Sequence, residues 1–197
     1  MIEPQLDEPR TNNNREMRGE TREEEQQFRN QALNRDYSSS GYTRGHVFAK
    51  SYAFGNQQKE STFTLTNAAP QTEKSNEEWA EQVEKPMLKE IKGNCDNNSF
   101  VYIVTGVVPG KTWLPIERGE GTIVQRVNIP RHFWTAYSCK SKKKNNINVS
   151  KAYFSQQITQ TPNGETEFKV KSMTVDTLNE KLETRYYKTP FPFRVFG

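Results

Sequence analysis

One run of spaced polar residues holds most of the chemistry this chain can offer. Arg44-Gly45-His46 comes first, then Asn67-Ala68-Ala69-Pro70-Gln71, then Asn76, with Glu84 eight residues later. A neutral imidazole near pH 7 can accept a proton from water, which makes His46 the candidate general base. The amide oxygen of Asn76 is a hard donor, of the kind a small divalent cation accepts while keeping most of its waters. At 3.6 residues per turn, Glu84 is offset from Asn76 by only ~80° around a helix. Plainer roles stay open. Asn is a favoured helix N-cap, and Ser75-Asn76-Glu77-Glu78 has the capping-box form with Ser75 as the cap. Glu84 also suits a solvated helix face, and Arg44 a surface ion pair. His132, between Arg131 and Phe133, reads as structural.

Other chemistries lack their residues. There is no Ser-His-acid spacing, no glycine-rich phosphate loop and no Cys-x-x-Cys. Cys95 and Cys139 have no nearby His for a zinc site. They can form one disulfide in an oxidising compartment or remain two buried thiols. Asn97-Asn98-Ser99 and Asn148-Val149-Ser150 fit the glycosylation acceptor pattern, a short match that carries little weight alone.

The elements that must position these residues are mixed. Residues 1–14, with Pro4, Pro9 and Asn12-Asn13-Asn14, read as a tether, and 15–197 as one domain. A helix is expected from about Arg15 to Asn34, with Met17, Phe28, Ala32 and Leu33 as its sparse apolar positions. Tyr42 to Phe48 suits a strand or structured loop. Phe63-Thr64-Leu65-Thr66 alternates as a half-buried strand does, and Asn67 to Gln71 ends it. The capping box predicts a helix to about Ile91, with Trp79, Val83, Met87 and Leu88 on one side, and Pro86 must kink or split it. Phe100 to Val108 is apolar on both faces and reads as a central strand. Val124–Ile129, Phe133–Cys139, Lys151–Gln157 and Glu167–Lys171 are further strands. The segment from Lys140 to Asn146 is a basic loop, and Val175 to Leu182 a short helix after an Asp cap. Pro190 to Phe193 is extended.

The 197 residues have a mean hydropathy of −0.98 and contain no apolar run long enough to span a membrane. The start, Met1 to Glu8, has no secretory-leader pattern, which leaves the compartment open. Residues 1–35 hold six Arg against eight acidic residues, so 36–197 carries +6 against the chain's net +4. A basic globular part suits a polyanionic partner.

Thr43-Arg44-Gly45-His46 resembles the Asp-Arg-Gly-His motif of the DNA/RNA non-specific endonucleases, the ββα-metal or His-Me finger nucleases. Thr62 to Trp79 is similar to their Ser-Asn-x-x-Pro-Gln, four variable residues, Asn-x-x-x-Trp region. Asp36 to His46 and Ile129 to Trp134 resemble the vertebrate endonuclease domain-containing 1-like members. The resemblance implies an α+β fold with a mixed or antiparallel central sheet, truncated at its N-terminus relative to the family. It implies Mg²⁺-dependent (or Mn²⁺-dependent) hydrolysis of phosphodiester bonds in DNA and RNA. His46 would be the base, Arg44 the phosphate-facing cation and Asn76 the one direct protein ligand. Glu84 and Asn67 would hydrogen-bond to water around the ion. Lys142, Lys143 and Lys144 would meet substrate phosphates. Thr43 stands where the family has Asp, keeping a hydroxyl but no charge. Secretion and a Cys95–Cys139 disulfide also follow from the resemblance. The alternative is a catalytically impaired relative that binds nucleic acid or a protein partner.

Overall fold

The computed structural model describes Met1, Gly19, Thr21 and residues 31–118, 122–143, 147–158, 160–161, 164–165, 167–187 and 194–196. The expected tether, most of the Arg15–Asn34 helix, Lys144 and the Pro190–Phe193 tail lie outside the described residues. Two compact units are present. The first contains Met1–Glu73 and Pro109–Pro130, the second Lys74–Val108 and Arg131–Gly197. No helix among the described residues is long and apolar enough to cross a membrane.

The first unit begins, in its described elements, with a single helical turn, α1 (Asn34–Tyr37), followed by β1 (Thr43–His46), α2 (Gly55–Ser61) and β2 (Ala68–Gln71). β1 and β2 pair antiparallel, with His46 opposite Ala68 and Arg44 opposite Pro70. The expected strand at Phe63–Thr66 is absent; a 3₁₀ turn occupies Leu65–Asn67 and the strand starts at Ala68. Pro70 is tolerated because a two-stranded ribbon consists only of edge strands. Leu33, Tyr37, Leu65, Leu114 and Ile129 form the core of this unit. Beside it, Asp36 Oδ2 accepts from Arg126 Nε at 2.9 Å and from the Leu33 amide at 2.9 Å. The Asp36 side chain is fully buried and that of Arg126 nearly so.

The second unit is a sheet with a helix on each face. α3 (Glu73–Trp79) leads through a π-helical stretch, Ala80–Glu84, into α4 (Lys85–Asn94). Pro86 lies at the start of α4, just past the π turn, so the backbone partner it cannot supply falls where the helical register already changes. The helix starts at Glu73 rather than at a Ser75 cap. Ser75 is inside it and fully buried, and its Oγ accepts the Ile158 amide at 2.7 Å.

Two long strands follow, β3 (Val101–Arg118) and β4 (Thr122–Lys140), each contributing to both units. Then come β5 (Asn148–Gln156), the short β6 (Gln160–Thr161) and β7 (Gly164–Glu165), β8 (Val170–Met173) and α5 (Val175–Lys181). The main sheet has the order β3-β4-β5-β8, so β3 is at its edge and not central as its apolar composition suggests. The segments Val124–Ile129 and Phe133–Cys139, read as two strands, are one. α5 is capped by Thr174, whose Oγ1 accepts the Thr177 amide at 3.1 Å; Asp176 sits in its first turn.

Side-chain alternation assigns the faces. Val108, Trp134, Ala136, Ala152 and Phe154 pack against Val175 and Leu178 of α5 and against Leu182. On the other face Thr135 meets Met87 of α4, while Tyr137 and Tyr153 donate to the Glu90 carboxylate. Lys151 completes that cluster at 2.7 Å from Glu90. Cys139 of the same face forms a disulfide with Cys95, just past α4.

Removing one member of a buried ion pair strands the other charge. Arg126→Ala is therefore expected to lower unfolding free energy by ~3–5 kcal/mol. Urea unfolding checks this, and a midpoint unchanged from the parent would refute it.

Candidate active site

The Arg-Gly-His motif lies on β1 because β2 leaves room only for glycine at its centre. A Cβ built on Gly45 would fall 1.8 Å from Gln71 Oε1, and the Gln71 side chain is fully buried. Thr43 closes the same ribbon by donating its hydroxyl to the Gln71 carbonyl at 3.1 Å. That neutral bond is what this chain has in place of the family's Asp.

Asn67 fixes the chain just after His46. Its Oδ1 accepts the Phe48 amide at 2.9 Å, and its Nδ2 donates to the carbonyls of Phe48 at 3.0 Å and Thr62 at 2.9 Å. Its own carbonyl accepts the Val47 amide at 2.8 Å. The expected contact with water around an ion is thus replaced in this arrangement by backbone clamping.

His46, half-buried, faces a cleft of about 440 Å³ lined also by Asn34, Arg44, Phe63 and Asn67. Its ring meets Phe63 edge-on, with centroids 5.0 Å apart. Lys50 stands over the Phe63 ring at 5.2 Å. Burial first, then the Lys50 charge, lowers the His46 pKa below its usual 6.5, so the imidazole is neutral at pH 7. Among the described residues its buried Nε2 has no hydrogen-bond partner. Arg44 is exposed, donates from Nε to Asn34 Oδ1 at 3.1 Å, and lies over the Tyr37 ring at 5.8 Å. Lys50, Phe63 and Asn34 were not singled out in the sequence. Lys50 follows His46 by one helical period, but no helix is there to give that spacing meaning.

Asn76 and Glu84 belong to the second unit. Asn76 is half-buried in the first turn of α3 and is not the cap. Glu84 closes the π stretch, so the ~80° offset calculated for an unbroken α-helix no longer applies. Burial alone pushes the Glu84 carboxyl up to about 7. Lys142 and Lys143 are exposed on the β4–β5 connection. His132 is buried between Phe154 and Tyr186, with centroids 4.8 and 5.1 Å away. Burial and the charges of Arg131 and Lys181 lower its pKa to about 4, in line with a structural role. Among the described residues, no group of three or more His, Cys, Asp or Glu gathers as a metal cage.

Residues 7–188 match the family model for DNA/RNA non-specific endonucleases. The chain belongs to this family. Human Endonuclease domain-containing 1 protein is 30% identical over 143 residues, covering 71% of this chain and 26% of that protein. The mouse protein of the same name is 30% identical over 109 residues, 55% of this chain and 20% of its own length. The chain therefore spans about a quarter of the human relative's length. Its fold is shared with a chain of the EndoG/EndoGI complex at a TM-score of 0.50 and 21% identity, covering 76% of this chain and 60% of that one. The likeness agrees with the α+β architecture.

Glu84 gives a pH signature. Its folded pKa of about 7 exceeds the reference 4.5, so its contribution favours the fold below pH 4.5 and is lost as pH rises through 7. Glu84→Gln removes that loss. Relative to the parent, the variant should gain on the order of 1–3 kcal/mol between pH 5 and pH 8 in chelator-treated buffer. Equal unfolding differences at both pH values would count against the half-buried, desolvated carboxyl.

Proposed function

We propose that the chain is a metal-dependent endonuclease that hydrolyses phosphodiester bonds of DNA and RNA with little regard to sugar or sequence. The observation that carries this is the place of His46: a neutral imidazole at the end of the β1–β2 ribbon, facing a cleft it shares with Arg44 and Asn67, within the region that matches the nuclease family. A catalytic base must be unprotonated at working pH and must have its lone pair available.

The residues fit a sparsely held Mg²⁺ (or Mn²⁺) better than a carboxylate-rich site. Such an ion keeps several waters and takes few protein oxygens, so one amide oxygen and a nearby carboxyl suffice for it. We assign the direct contact to the Asn76 amide oxygen. Glu84, half-buried with its carboxyl raised by desolvation, is assigned to hydrogen-bond from outside the ligand set. When bound, the ion neutralises charge on the phosphate and its leaving oxygen. His46 takes a proton from the attacking water through its neutral imidazole. Arg44 orients a phosphate oxygen through its exposed guanidinium. Asn67 holds His46 in place by fixing Val47 and Phe48. Phe63 walls one side of the imidazole and, with Lys50, keeps it uncharged. Lys142 and Lys143 add contacts to backbone phosphates that carry no sequence information.

We place the protein in the secretory pathway or outside the cell. The supporting feature is the Cys95–Cys139 disulfide, since such bonds persist chiefly in oxidising compartments.

Plasmid nicking with Mg²⁺ tests the assignment. His46→Ala should slow cleavage about 10²–10⁴-fold, and Asn76→Ala should abolish the response to added metal; cleavage indifferent to both substitutions would defeat it. The pH profile adds an independent check. The acid limb of kcat/KM should have its midpoint below 6.5, because the base form is present above a depressed pKa. Lys50→Met removes a positive neighbour and should move that midpoint upward; a limb that stays fixed would argue for a different titrating group.

A further inference from the structure

The Asn-x-Ser triplets at Asn97 and Asn148 are the chain's two glycosylation acceptor sequences, and the fold brings them to one cleft of the second unit. That cleft, of about 380 Å³, is lined by Asn98, Ser99, Phe100, Tyr102, Lys140 and Asn148 among others. Its floor continues the face that α5 covers. Along β3, Val108 and Val104 pack into the core, and stepping outward by two gives Tyr102 and then Phe100. Along β4, Trp134 and Ala136 lead to Ser138 and Lys140. Along β5, Phe154 and Ala152 lead to Ser150 and Asn148, which is paired with Lys140.

Beyond α5 this face presents exposed side chains. Phe100 is 81% exposed and Tyr102 60% exposed, with centroids 6.5 Å apart and rings inclined by 48°. Two neighbouring large aromatics left bare on a sheet mark a surface that something covers. The rim is held rigidly. The Cys95–Cys139 disulfide, an isolated bridge between Cys95 and Ser141, and the Asp96 amide on the Lys140 carbonyl at 2.9 Å fix the turn carrying Asn97 against the end of β4. Asn97 and Asn148 are both exposed.

We propose that Asn148 carries an N-linked glycan whose first sugars lie across the rings of Phe100 and Tyr102. The inference rests on the secretory placement above and is independent of the cleavage chemistry. The donor class is a lipid-pyrophosphate-linked oligosaccharide. Asn148 Nδ2 forms the bond to sugar C1 and loses one proton, the C1–O bond to the carrier breaks with its electron pair on oxygen, and the lipid pyrophosphate leaves. The C–H face of the sugar covers apolar ring area, while its hydroxyls remain in water and within reach of Lys140 and Asn98. Asn97, on the same rim, is a second acceptor in the same surroundings.

The full chain, carried into the lumen of cultured eukaryotic cells by an appended leader, is the material for the test. Where the unappended chain travels is measured separately by imaging, so failure of the placement and failure of the modification are told apart. Peptide mapping with peptide-N-glycosidase in heavy-oxygen water should show the Asn148 peptide converted to labelled Asp. Enzymatic removal of the glycan should lower Tm by about 2–4 °C. That decrement should vanish in Phe100→Ala/Tyr102→Ala, which alters exposed side chains only. An unmodified Asn148 in the secreted chain overturns the proposal, as does a Tm decrement that survives loss of both rings. A bare Asn148 with single-stranded DNA binding lost in the double variant would give the shelf to nucleic acid instead.

Discussion

The arrangement around His46 depends on one carboxamide. Asn67 spends both its donor and acceptor capacity on the backbone of residues that flank the imidazole, at Phe48 and Thr62, while its carbonyl receives Val47. These groups are partly or wholly withdrawn from water, where an unmade hydrogen bond costs more than a made one contributes. No other side chain of similar length offers an acceptor and two donors in one plane. The clamp therefore does more than tie loops together. It sets where the segment after β1 turns, and so which way the imidazole, Lys50 and Phe63 face. The ribbon beneath it is equally constrained, since Gly45 and the buried Gln71 side chain share space that a single methyl group would fill.

Electrostatics in this protein divide sharply by burial. Asp36 and Arg126 are withdrawn from solvent together, and the pair is satisfied further by the Leu33 amide and the Gln31 carbonyl. Glu90 is half-exposed yet has a Lys and two tyrosine hydroxyls. Glu84 is half-buried, and desolvation alone pushes its carboxyl up to about 7.

Much of the fold was legible in the chain. Helix-period apolar residues at Trp79, Val83 and Met87 become buried as expected, and the strands of the main sheet follow alternating or apolar runs. The misreadings have physical causes. Phe100 to Val108 looks central because apolar residues occupy both faces, but those at its outer end are simply exposed. Ser75 has the chemistry of a cap, and its hydroxyl went to a distant amide at Ile158, a tertiary partner no local pattern reveals. Asn67 to Gln71 read as the end of a strand at Phe63–Thr66, whereas that strand is absent and the pairing with β1 runs through Ala68–Gln71, Pro70 included. Of the motif residues, Arg44, His46 and Asn67 line one cleft of the first unit, while Asn76 and Glu84 belong to the second. Lys50 and Phe63 did not announce themselves, because their influence on His46 comes through chain reversal rather than sequence period.

The disulfide joins positions 44 residues apart, and the whole of β3 and most of β4 lie between them. Cys139 faces Cys95 because it shares parity with Thr135 and Tyr137 along the strand. Sliding β4 by a single residue would rotate its sulfur to the opposite side of the sheet. The bond is thus tied to one register of β4: a one-residue slip would carry the Cys139 sulfur to the face away from Cys95 and leave the two apart.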